Sequence, residues 1–112
     1  VRAMHAESGA TSFGYVTSYD AAESTDAIYM AEDVGHDDAD KSMSGKMTLY
    51  DPSNTTYVKH FVIETDACNG GDWQAFQHVA GYINTTSAVN AMQFLFSHGN
   101  MDAGTIYMYG VS

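Results

Sequence analysis

The sequence predicts an all-β fold, an antiparallel β-sandwich with jelly-roll-like connectivity, built by residues 1–112 as a single domain. Three observations carry that reading. Short runs rich in β-branched and aromatic residues recur roughly every ten residues, each bounded by Gly, Asn, Asp, Ser or Pro. Ten glycines against one proline suit many strands joined by tight turns. The last quarter, Ala88 to Ser112, holds two alternating apolar runs around a loop containing Gly99, Asn100, Asp102 and Gly104. A chain of 112 residues can close one core but not two.

Taken in order, Val1-Arg-Ala-Met-His5 reads as a strand and Glu7 to Ser12 as its turn. Phe13 to Tyr19 reads as extended, because Tyr15 and Val16 fit a pleated surface. Asp20 to Asp26 is polar and suits a surface loop or one helical turn, and Ala27 to Met30 is a short apolar run. Glu32 to Asp40 is the densest acidic segment. Met47 and Leu49 mark a strand that Asp51-Pro-Ser-Asn54 stops, since Pro52 cannot donate to a ladder and Asp51 and Asn54 can cap the turn. Tyr57 to Ile63 resumes the strand, with Val58 and His60 on one face and Phe61 and Ile63 on the other. Asp66 to Asp72 is a loop. Trp73 to Ile83 is a further strand, Phe76, His78, Ala80 and Tyr82 facing one way and Gln77, Val79 and Ile83 the other. After a turn at Asn84 to Ser87, Met92, Phe94 and Phe96 alternate with Gln93 and Leu95. Ile106 and Met108 then alternate with Thr105, Tyr107 and Tyr109. This period of two predicts a closing β-hairpin. The start at Val1, within a strand and without a Met, predicts a fragment or processed product.

Charge narrows the partners. Fourteen acidic against four basic residues give a formal net charge of −10. Nucleic-acid binding needs cations to displace counterions from phosphates, so no nucleic-acid partner is expected. An anionic membrane surface would repel the chain, and no apolar run is long enough for membrane insertion. Cys68 is alone, so no disulfide forms within these residues.

The acidic segment Glu32–Asp40 could hold calcium, but it lacks the Asp-x-Asp-x-Asp-Gly spacing, and a solvated loop is the favoured reading. Five histidines show no zinc spacing; His60 and His78 could approach across a sheet, with an ordinary surface pair preferred. There is no Gly-x-Ser-x-Gly elbow, and Glu64 and Asp66 share a strand face as a common accident of spacing. No catalytic residue, metal site or cofactor is therefore expected. Eight tyrosines cannot all be core. Exposed aromatics beside Asp or Asn are what sugar sites and protein interfaces use, which makes Trp73, Tyr82, Tyr107 and Asp72 the candidate contact residues. The sequons at Asn54 and Asn84 are explained by their turn roles.

Two stretches carry a family resemblance. Ala88-Val-Asn-Ala-Met-Gln-Phe-Leu-Phe-Ser-His-Gly-Asn-Met-Asp-Ala-Gly-Thr-Ile-Tyr-Met-Tyr-Gly-Val111 resembles the C-terminal signature of a family of tailed-phage virion and prophage structural proteins. Gly45-Lys-Met-Thr-Leu-Tyr-Asp-Pro-Ser-Asn-Thr-Thr56 resembles a second motif of that family, with Asp51 where Asn is usual. The resemblance implies a β-sandwich with further strands before Val1. It also implies a non-enzymatic bacteriophage protein on the external surface of the virion, as a tail-fibre or appendage domain or a capsid decoration. Its expected partners are other virion proteins and copies of itself, a trimer being one arrangement. The alternative expectation is a carbohydrate-binding module that recognises host surface glycan.

Overall fold

The computed structural model describes residues 1–111. The chain is all-β. Five antiparallel strands, β1 (Arg2–Ala6), β2 (Thr11–Gly14), β3 (Met43–Leu49), β4 (Lys59–Cys68) and β5 (Trp73–Ile83), form one sheet in the order β2-β1-β5-β4-β3. A single 3-10 turn spans Thr17–Tyr19. The extended run expected at 13–19 is thus shorter and earlier: its strand is Thr11–Gly14, pairing with β1.

Alternation along the central strands produces the core. Lys59, Phe61, Ile63, Thr65 and Ala67 of β4 are all buried on one face, alongside Ala75 and Gln77 of β5. The register sets Phe61 opposite Gly81 and Ile63 opposite Val79. The Phe61 ring lies over Gly81, where an added Cβ would sit 2.8 Å from the ring's Cζ. Only glycine admits that approach.

What covers this inner face is irregular chain. Residues 30–35 cross it and are tied down by hydrogen bonds: the Thr65 hydroxyl donates to the Met30 carbonyl, and the Glu32 amide to Gln77 Oε1. The Gly35 amide donates to the Cys68 carbonyl at 2.9 Å, and Arg2 pairs with Glu32. Polar residues in the middle of the sheet are buried because the crossing backbone needs partners. At the far end, the fully buried Lys59 donates from Nζ to the carbonyls of Tyr57 and Thr85, at 3.0 and 3.1 Å. The Val89 amide reaches the Pro52 carbonyl at 2.8 Å.

The expected all-β, antiparallel class holds, its second layer is not seen, and one further expectation is corrected. A sandwich requires a second sheet, and among the described residues there is one sheet only. The closing hairpin expected in Ala88–Ser112 is not formed: residues 84–111 contain no strand. Strand propensity expresses a fit to a pleated, half-buried surface, and these residues have no such surface to lean on. The expected facing partly survives, since Phe94 is half-buried while Leu95 is 56% exposed. Met92 and Phe96 lie on the margin, both 37% exposed. The Cα radius of gyration, 15.5 Å, exceeds the roughly 13 Å of a compact chain this long, and the molecule is 49 Å in its longest extent.

Candidate functional site

The inner face is closed, so the chemistry available to a partner lies on the outer face of the sheet and at its two ends. Register arranges the outer face in rows. Phe13 of β2 stands beside Ala3 of β1, Ala3 beside Phe76 of β5, and Phe76 beside Asp66 of β4. Phe13 is 79% exposed and Phe76 42%. This is an open apolar row.

The next row is ionic. Lys46, Glu64 and His78 lie side by side on β3, β4 and β5. Lys46 Nζ is 2.7 Å from Glu64 Oε2, and His78 Nδ1 is 3.6 Å from Glu64 Oε1. The Lys46 hydrogen bond, assisted by its charge, holds the Glu64 carboxyl below the usual carboxylate range and lifts Lys46 above its own. Glu64 is therefore a fixed anion bracketed by its neighbours rather than a free acid. Beyond it, the rings of His60 and Tyr82 lie 6.0 Å apart, tilted at 55°. His60 and His78 are opposite different residues, Tyr82 and Glu64, so the two histidines do not pair.

The turn between β4 and β5 is built by Asn69, whose Oδ1 accepts from the amides of Gly71 and Trp73 at 2.9 and 3.1 Å. The acidic segment packs on this turn. Asp33 Oδ2 accepts from the Gly70 amide, and the buried Lys41 ammonium sits 3.0 Å from both Asp37 and Asp72. Asp72 and Asp37 raise the Lys41 pKa, and Lys41 holds Asp37 low. A lysine thus supplies the positive charge where carboxylates converge. Among the described residues no group of three His, Cys, Asp or Glu side chains could hold a metal ion. A shallow concavity of about 250 Å³ beside Lys41 is lined by Glu7, Asp38, Asp40, Cys68 and Asp72. Lys41 lies four residues after Asp37, but the segment is turn and not helix, so the helical pairing rule does not mark it in the sequence.

The four candidate contact residues are dispersed. Asp72 and Trp73 are neighbours at the β4–β5 turn, with Asp72 engaged by Lys41. Tyr82 lies at the other end of β5, roughly 30 Å away at strand rise. Tyr107 is in the C-terminal segment, 74% exposed, its ring stacked on Tyr109 at 6.3 Å. The exposed Phe13–Phe76 row was not anticipated; the alternation of β5 put Phe76 on the Tyr82 side but did not say which side is open.

Of Ser–His contacts there is Ser97 Oγ to His98 Nδ1 at 3.2 Å, between chain neighbours in solvent. No ion pair to His98 occurs among the described residues, so nothing orients its ring as a base requires. No protein-family model matches the chain, and no significantly similar curated protein or solved structure was found.

Proposed function

We infer that this chain is a non-enzymatic structural domain of a tailed-phage virion, carried on the outside of the particle as a tail-fibre or appendage domain or a capsid decoration. The resemblance over Gly45–Thr56 and Ala88–Val111 motivates the reading. The observation that carries it is apolar surface left in solvent: Ile106, Tyr107, Met108, Tyr109 and Val111, neighbours along one segment, are 60–96% exposed. Contiguous exposed apolar area marks surfaces that meet other proteins. Its partners are other virion proteins and further copies of the chain; with a net charge of −10, nucleic acid and anionic lipid are disfavoured. Mass spectrometry of purified particles tests the reading. The protein should be recovered with the virion, and its absence would remove the hypothesis.

A second reading, recognition of host surface glycan, is favoured by the adjacency of the exposed Asp72 and the half-buried Trp73 where the β4–β5 turn enters β5. Binding to a glycan array that is lost in Trp73→Ala and kept in Tyr107→Ala would support it. Silence across the array would dismiss it.

A further inference from the structure

Residues 105–111 form the longest stretch of this chain that is ready to be a strand and has no strand to pair with. They carry no charge, in a chain of net charge −10. Ile106, Tyr107, Met108, Tyr109 and Val111 are all at least 60% exposed. Tyr107 and Tyr109, two residues apart, stack on the same side at an interplanar angle of 24°, which is the geometry of extended backbone. Among the described residues no backbone–backbone hydrogen bond involves residues 90–111; the last anchor is Val89 on Pro52. Among the described residues, then, nothing occupies the amides and carbonyls of the segment that a ladder would use.

The same molecule presents a matching vacancy. β3, Met43–Leu49, is an edge strand of seven residues that pairs only with β4. Residues 105–111 are likewise seven. The only charged side chain of β3 is Lys46, so this edge is where an acidic chain repels a copy of itself least. The segment lies on neither edge of its own sheet.

We propose that residues 105–111 of one copy add as a strand to the β3 edge of a second copy, and reciprocally. Such an exchange is isologous: each chain gives one strand and receives one, both β3 edges and both free segments are used up, and the assembly closes. It extends each five-stranded sheet to six and covers the β3 edge, the donated strand becoming the new outer one. The proposal names the surface through which the copies in the preceding section meet, and it rests on that reading.

The test compares the chain with Met108→Pro, which deletes one ladder donor from a segment that takes no part in the core. Light scattering coupled to size exclusion should give a dimer for the parent chain and about half that mass for Met108→Pro, with the circular dichroism and thermal midpoint of the dilute monomer unchanged. Hydrogen exchange in the parent should show protection at 43–49 and 105–111 that grows with concentration. A dimer that survives Met108→Pro overturns the exchange while leaving self-assembly intact. A parent chain that is monomeric overturns it too, and concentration-independent protection of 105–111 would then place the segment on its own sheet. Neither result bears on recovery of the protein from particles, so the two readings fail separately.

Discussion

The β4–β5 pair and residues 84–111 are written in the same alphabet, yet only one of them becomes sheet. Both alternate apolar and polar residues with a period of two, and both draw on Phe, Tyr, Ile and Val. In β4 and β5 each residue from Lys59 to Cys68 finds a cross-strand partner, and the inner face is sealed by residues 30–35. Among the described residues beyond Ile83, the Thr85 carbonyl is held by Lys59 and the Val89 amide by Pro52, and farther on the apolar side chains lie increasingly in solvent. The difference teaches that alternation allows a strand, while a ladder partner and a covered face make one.

The contrast can be broken at its strongest point first. Ile63 is fully buried, so Ile63→Ala should cost roughly 2–5 kcal/mol in chemical denaturation. Met108→Ala, at a 79% exposed position, should stay within about 0.5 kcal/mol in the monomer. Equal losses would mean that the tail is packed after all. Next in size, Gly81→Ala should cost about 1–3 kcal/mol, because the new methyl meets the buried Phe61 ring; a neutral result would show that the ring can move aside. Lys59→Met strands the carbonyls of Tyr57 and Thr85 and should cost of order 1–3 kcal/mol, with amide exchange at Ser87 and Val89 rising before exchange in β5 does. If those amides do not respond, Lys59 is not what ties the tail to the sheet.

The smallest effect belongs to the outer face. Glu64 is depressed by Lys46, so the pair's contribution is complete at neutral pH and is lost as pH falls through the lowered Glu64 pKa. Lys46 is raised by the same contact, so any alkaline loss comes only above the usual lysine range. The difference in thermal midpoint between the parent and Lys46→Met should be small, level through the neutral range, and gone in acid well below about pH 4. A difference that persists in acid would assign the effect to the lysine stem and not to its charge.

How far the sequence could be read follows from what each residue needs. Trp73–Ile83 was legible to both ends because its alternation is uninterrupted and Gly70-Gly71 precedes it. The β3–β4 hairpin was legible because Pro52 and Asn54 punctuate it; Asn54 Oδ1 does accept from the amides of Thr56 and Tyr57. Which face of β5 is covered was not legible. Phe76, Ala80 and Tyr82 make the outer side the more apolar one, while the inner side owes its burial to a crossing segment held by Thr65 and Gln77. The Lys41–Asp72 contact joins residues far apart in the chain, and no local pattern announces it. The dispersal of Trp73, Tyr82 and Tyr107 has a similar cause: composition shows that aromatics are in excess without showing where the sheet carries them.

The turn at Asn69 bears on how this protein ages. An asparagine followed by glycine is the pair most prone to cyclise to a succinimide and emerge as aspartate or isoaspartate, and asparagine is among the heat-sensitive residues. Here the Asn69 carboxamide oxygen is held by two amides, and the Gly70 nitrogen that would attack the carboxamide carbon and expel ammonia is committed to Asp33. Folded protein should therefore keep Asn69 intact in storage. Unfolding would expose it to irreversible damage, making isoaspartate at this position a chemical record of how long a molecule has spent unfolded.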